Sequence, residues 1–140
     1  MRLEAEMVKF VLQKPVQSPE QEPKTPFSSS LPQLLAEQLG LAAGRLKRGK
    51  ALVIRTALDL LLGQSQADRE KRIMDYYRAG PQGSPQPLTT TLSLSQKEGI
   101  ARVAKALHRS KADVLRAALY DFFRLSPQKR EAAVMEYLSL

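Results

Sequence analysis

Two segments of this chain repeat each other at a fixed offset of 61 positions, and this duplication limits the fold more than any other feature. PFSSSL from Pro26 aligns with PLTTTL from Pro87, and further on RLKRGKALVIRTALDLLL aligns without a gap with ALHRSKADVLRAALYDFF. Ungapped agreement of this length indicates two copies of one structural unit. We therefore call residues 25–79 the first repeat and residues 87–140 the second repeat.

Each repeat begins with a pattern typical of a β-strand. In the second repeat, one series of alternate residues is Leu88, Thr90, Leu92 and Leu94, and the other is Thr89, Thr91 and Ser93, which is the period of a short half-buried strand. The aligned residues 27–31 predict the matching strand of the first repeat. A second candidate for that first strand is MVKFVLQ at residues 7–13, which has an alternating pattern. Both candidates stay open because the segment at residues 27–31 is rich in serine and is followed by Pro32, which is unfavourable for a strand.

Three helices are predicted to follow the strand in each repeat. In the second repeat, Ser95 and Glu98 have the spacing of a capping box and predict a helix over about 96–107. Ser110 then suits the N-cap of a helix over about 111–124. A third helix is predicted to start after Ser126 and to end near residue 138.

Two further segments have the composition of connecting chain. Residues 1–24 form an N-terminal arm in which Pro, Gln, Glu and Ser are too dense to build a core from Lys14 to Pro26. Residues 80–86, at the start of GPQGSPQP, are expected to link the two repeats.

Composition favours a polyanionic partner and argues against several kinds of chemistry. The formal charge is +8, the pI is near 10.0, and the two repeats carry equal excesses of basic residues. There is no cysteine, and the single histidine, His108, has no metal-ligand or catalytic partner at a useful spacing. We expect no metal, no cofactor and no enzyme activity, and we expect a cytoplasmic, nucleoid-associated protein with no membrane contact.

The order of strand, helix, tight turn and helix, with LTTTLS at the strand and HRSKADVLRAAL at the turn, resembles the ribbon-helix-helix (MetJ/Arc/CopG-like) family of DNA-binding proteins. The resemblance covers about 37 residues and implies a fold that is mainly α with a short two-stranded antiparallel ribbon. Two tandem copies in one chain, as in TraY-like proteins, imply a ribbon-helix-helix pseudo-dimer in which each copy has an extra C-terminal helix.

The resemblance also implies how DNA would be contacted. In that family the outward side chains of the strand touch base edges, and the amides that open the second helix bind phosphates. The base-contact residues would be Ser28, Ser30, Thr89, Thr91 and Ser93. The phosphate contacts would be Arg45, Lys47, Arg48, Gly49, Lys50 and Ala51 in the first repeat, and Arg102, Lys105, Arg109, Ser110, Lys111 and Ala112 in the second.

The leading hypothesis from sequence is a regulator of transcription, a repressor that prefers certain sequences of double-stranded DNA. Two alternatives stay open: an accessory DNA-binding protein of plasmid transfer or partition, and an antitoxin-like interaction module. A protein partner bound through residues 1–24, and further self-association of the pseudo-dimers, are the other contacts that the sequence leaves open.

Overall fold

The described chain is mainly helical and contains one two-stranded antiparallel sheet. The structure, a computed structural model, describes residues 19–80 and 83–139. None of the helices in these ranges is long and apolar enough to cross a membrane. After a 3-10 turn at Pro19–Gln21, the elements are β1 (Lys24–Pro32), α1 (Gln33–Leu46), α2 (Lys50–Leu62), α3 (Gln66–Ala79), β2 (Pro85–Ser93), α4 (Leu94–Leu107), α5 (Lys111–Phe123) and α6 (Pro127–Ser139).

The two strands come one from each repeat and pair antiparallel. Lys24 lies opposite Ser93, Pro32 lies opposite Pro85, and the pair at the centre is Ser28 with Thr89. These two central residues occupy the same position in the two repeats, so the repeats are related by an approximate two-fold axis through this pair. The strand partner of β2 is therefore the PFSSSL segment, and the candidate strand at residues 7–13 lies outside the described residues.

One face of the sheet lies on a continuous hydrophobic core. Leu31 and Leu92 are fully buried on this inner face, with Phe27 and Leu88 packed beside them. The third helices cross to the other repeat, since α3 packs on α5 and α6 packs on α2. This exchange makes one core from both repeats, and its largest buried helical side chains include Leu35, Leu39, Ile54, Leu58, Ile100, Leu115, Leu119 and Phe122.

Both strands begin earlier than their composition predicts. The predicted connecting segments included Lys24, Pro26 and Gln86, but the structure places all three inside strands. Proline is tolerated here because each strand of a two-stranded sheet is also an edge strand, so a nitrogen without a hydrogen can face away from the partner. Backbone pairing with a distant segment, which composition does not reveal, decided these boundaries.

The predicted capping box at the start of α4 was wrong. The cap is Ser93, whose hydroxyl accepts a hydrogen bond from the Gln96 amide at 3.2 Å, while the Gln96 side chain accepts from the Ser93 amide at 3.2 Å. β2 passes directly into α4, so the helix begins at Leu94 and leaves Ser95 and Glu98 exposed within it. The first repeat has Pro32 at this cap position and no side-chain cap.

We expect Ser93→Ala to lower the free energy of unfolding by about 1 kcal/mol, because the cap hydrogen bond to a buried amide is lost. Ser95→Ala is the matched control and should change it by less than about 0.5 kcal/mol. Urea denaturation of the two variants measures both values. A larger loss in Ser95→Ala than in Ser93→Ala would contradict the observed cap.

Candidate nucleic-acid interface

The outer face of the sheet presents small polar side chains at its centre. Ser28 and Thr89 are exposed, as the alternation predicted, and exposed Thr91 and half-buried Ser30 occupy equivalent positions on either side of them. Lys24 is exposed on the same face at the end of β1. This face therefore offers hydroxyl groups, threonine methyl groups and one cation, together with the exposed rings of Pro26, Pro85 and Pro87.

Ser93 does not belong to this outer surface. Its exposed fraction is 0%, and its hydroxyl accepts the Gln96 amide at the start of α4. The prediction that Ser93 points outward into solvent is therefore wrong. The strand alternation points Ser93 outward, but the turn into the helix covers it.

Arg55 of α2 ties the first repeat to β2. Its guanidinium donates to the carbonyl and the hydroxyl oxygen of Thr91 at 3.0 and 2.9 Å. It also donates twice to the Glu20 carboxylate, at 2.5 and 3.0 Å. Arg55 is only 7% exposed, so its charge lies almost fully buried, and the bidentate contact with Glu20 neutralises it there.

Arg116 of α5 makes the equivalent contact in the other direction. Its guanidinium donates to the carbonyl and the hydroxyl oxygen of Ser30 in β1, at 2.9 and 2.8 Å. Its carboxylate partner is Asp113, at 2.9 Å, and Asp113 also accepts a hydrogen bond from the Tyr77 hydroxyl. Each repeat therefore holds the strand of the other repeat through one arginine.

Sequence reasoning missed these two arginines as functional groups. They are identical residues at equivalent positions of the repeat, within helices whose neighbouring positions are apolar, and this was a usable signal. Glu20 gave no signal, because it lies in a segment whose composition predicted a linker. The position equivalent to Asp113 in the first repeat is Leu52, and Glu20 supplies the missing carboxylate from outside the repeat.

A chain of buried polar groups joins the Arg55 contact to the start of α4. The Gln96 side chain donates to the Arg55 carbonyl at 3.0 Å and to the Tyr137 hydroxyl at 3.3 Å. Tyr137 in turn donates to Glu20 at 3.1 Å. Burial, and next the Glu20 charge, raise the pKa of Tyr137, so its hydroxyl stays protonated as a donor.

Both carboxylates that pair with the arginines have shifted pKa values. Burial acts to raise the pKa of Glu20, but the hydrogen bonds and charge of Arg55 outweigh it, and the pKa is lowered. Burial likewise opposes the shift of Asp113, and hydrogen bonds from Tyr77, Ser110 and Arg116 lower its pKa. Both groups are therefore ionised at neutral pH.

The two turns that precede α2 and α5 have the same backbone geometry. Lys47 and His108 both adopt the left-handed conformation, with φ of 53° and 55°, and end α1 and α4. Gly49 and Ser110 are then the N-caps of α2 and α5, and Lys50 and Lys111 are their exposed first residues. Each turn thus presents a helix N-terminus, which favours anions, next to a lysine.

The remaining predicted phosphate contacts fall into three groups. Arg48 and Arg109 lie in the turns and contact the sulfur atoms of Met135 and Met74, and Arg109 also stacks on Tyr77 at 4.3 Å. Lys47 and Lys105 are exposed, and Ala51 and Ala112 are half-buried second residues of their helices. Arg45 and Arg102 instead line grooves against the other repeat, with Phe123 and Arg130 in one case and Leu62 and Arg69 in the other.

The contacts of Arg55 and Arg116 place the starts of α2 and α5 near the two strands of the sheet. Arg55 lies five residues after Lys50, and Arg116 lies five residues after Lys111, so each helix N-terminus is about 7.5 Å along its axis from a residue bonded to the sheet. The starts of α2 and α5 are therefore held at a fixed position relative to the sheet through Arg55 and Arg116.

Comparison with models of known families, with curated proteins and with solved structures gives no significant match.

We expect the Glu20–Arg55 pair to make stability fall in acid. Because the pKa of Glu20 is lowered from its ordinary value of 4.5, the pair contributes fully above that pH, and its contribution is lost as pH falls through the folded-state pKa. Glu20→Gln should therefore destabilise the protein at pH 7, and by progressively less as the pH falls below 4.5. Urea denaturation across this range measures it.

Glu37→Gln is the control, since Glu37 is exposed on α1. As a substitution of an exposed residue, it should change the free energy of unfolding at pH 7 by less than about 0.5 kcal/mol. A Glu20→Gln curve that runs parallel to the wild-type curve at every pH would show that Glu20 is not the group that titrates.

Proposed function

We propose that this chain is a tandem ribbon-helix-helix pseudo-dimer that binds double-stranded DNA and regulates transcription. The observation that carries the proposal is the two-stranded sheet with one face on the core and the other facing solvent, centred on Ser28 and Thr89. An antiparallel ribbon of this kind has the width of the major groove, where each base pair presents a distinct set of donors and acceptors.

The cationic helix starts support the same function. Insertion of a ribbon into the groove brings the adjacent phosphates to its flanks, and the amides opening α2 and α5 with Lys50 and Lys111 suit those anions. The approximate two-fold axis through Ser28 and Thr89 parallels the symmetry of a DNA duplex with two half-sites. The net charge of +8 favours association with any duplex.

The contacts of residues 20–23, at the end of the N-terminal arm, bear on the alternative that the arm binds a protein partner. Glu20 holds Arg55, the Glu22 carboxylate accepts the Ser95 amide at 3.3 Å, and the Pro23 carbonyl accepts the Leu94 amide at 3.2 Å. Residues 20–23 are thus engaged by their own chain. A protein partner that bound residues 20–23 would have to compete with these intramolecular contacts.

Fluorescence anisotropy with a labelled duplex tests the proposal directly. We expect binding at low salt, with affinity falling steeply between roughly 50 and 200 mM salt as counterions compete for the phosphates. An absence of binding at the lowest salt concentration would overturn the proposed function.

We expect Lys50→Ala and Lys111→Ala each to weaken binding by a similar factor on every duplex sequence. Each change removes one phosphate contact, so the slope of log affinity against log salt should fall by about 1. Lys129→Ala is a matched control, because Lys129 is an exposed lysine in the first turn of α6. If Lys129→Ala lowered the slope as much as Lys50→Ala, the helix starts would not be the phosphate sites.

We expect Thr89→Ala to change sequence preference and not the salt slope. Thr89 is exposed at the centre of the ribbon, where its methyl and hydroxyl groups would meet base edges, and one such contact is worth roughly 1 kcal/mol of discrimination. Competition between a preferred duplex and single base-pair variants measures this. Equal loss of affinity on all duplexes would assign Thr89 to the backbone contacts instead.

A further inference from the structure

The outer face of the ribbon differs at its two ends, although the repeats that form it are equivalent. On one side of the central Ser28–Thr89 pair, Lys24 occupies the outer position of β1. On the other side the equivalent residue is Pro85, which lies opposite Pro32. We call these the lysine end and the proline end.

Within the two described strands, Lys24 at the lysine end is the one charged side chain, and the proline end has only the Ser30 hydroxyl as a side-chain donor on the outer face. The exposed Lys24 ammonium donates to the backbone carbonyls of Glu20 and Glu22. An ammonium has three N–H groups, so one remains for another acceptor beyond these two contacts. Lysine recognises the O6 and N7 acceptors of guanine in the major groove, whereas the Pro85 and Pro32 side chains have no donor or acceptor.

The outer-face positions nearer the centre of the ribbon also favour base discrimination at the lysine end. Thr91 at the lysine end and Ser30 at the proline end are equivalent in the repeat, and the hydroxyl group of each accepts from an arginine. Thr91 adds a methyl group and is exposed, whereas Ser30 is half-buried. A threonine methyl can contact the methyl of thymine, so this end again carries the group that distinguishes bases.

The helix starts differ as well. Arg55 ties α2 to the lysine end, and the first turn of α2 contains no acidic residue. Arg116 ties α5 to the proline end, where Asp113 lies in the first turn and the Ser110 hydroxyl accepts the Asp113 amide at 3.0 Å.

Two acidic residues also lie at the lysine end, and both are engaged. Arg55 neutralises Glu20, and Glu22 accepts the Ser95 amide. The difference between the two ends therefore rests on the outward-facing side chains. The helix starts differ in the same sense, because the acidic residue Asp113 lies in the first turn of α5 and none lies in that of α2.

We propose that the two ends of the ribbon read duplex DNA unequally. Lys24 and Thr91 select the base sequence of one half-site. The proline end binds the other half-site mainly through the DNA phosphates and tolerates many base sequences there. This inference rests on the proposed DNA-binding function and names the residues that set its specificity.

Selection of bound duplexes from a random library, with the full chain, tests this. We expect an enriched motif in which one half is strongly constrained and the other half is weakly constrained. Lys24→Ala should reduce discrimination at one position of the constrained half by about tenfold. Pro85→Lys, which places a lysine at the equivalent position of the second repeat, should strengthen the preference in the weak half.

A second pair of variants isolates one methyl group. Thr91→Ser keeps the hydroxyl that binds Arg55 and makes the lysine end match the proline end at this position, so a thymine preference in the constrained half should weaken several-fold. Ser30→Thr adds the methyl at the proline end and should create that preference in the weak half. Because both variants keep the arginine contacts, thermal unfolding should be nearly unchanged and serves as the folding control.

The outcomes separate the two proposals. A motif with equally constrained halves, a motif unaffected by Lys24→Ala and Thr91→Ser, or binding without any enriched motif would overturn the unequal reading and leave DNA binding in place. A failure to bind any duplex at low salt would overturn the proposed function and this inference together.

Discussion

Neither of the two β-strands in the described part of the chain can satisfy its own backbone hydrogen bonds, and the rest of that structure depends on their pairing with each other. A single strand exposes hydrogen-bonding groups on both edges, so β1 and β2 need each other even though they belong to different repeats. Their pairing fixes which residues face the core and which face solvent, because the alternation of side chains is strict. Leu31 and Leu92 could not be buried, nor Ser28 and Thr89 exposed, in any register shifted by one residue.

The two arginines stabilise this pairing from the helices. Removing a guanidinium from water is costly unless its donors are satisfied. Buried Arg55 and half-buried Arg116 each divide their donors between a carboxylate and the strand of the opposite repeat. A shift of either strand would remove the strand carbonyl and hydroxyl acceptors from one of these guanidinium groups. The same side chains therefore position the ribbon relative to the starts of α2 and α5, which is the geometry that the proposed DNA contact requires.

The repeated elements were predictable, and the features that break the repeat were not. The strands, the three helices of each repeat and the outward positions of Ser28 and Thr89 follow from local periodicity and from the duplication. Glu20 and Ser93 do not follow from either one. Glu20 acts through a tertiary contact formed across 35 residues, and Ser93 is buried because β2 leads straight into α4. Such contacts depend on where distant segments meet, which neither composition nor local spacing records.

Carrying both strands on one polypeptide changes how the ribbon responds to dilution. Its formation is a unimolecular step, so the fraction of molecules with β1 paired to β2 does not depend on protein concentration, unlike an interface between separate subunits. The connecting chain keeps the partner strand at a high effective concentration. The ribbon should therefore stay assembled even in a very dilute solution of the protein.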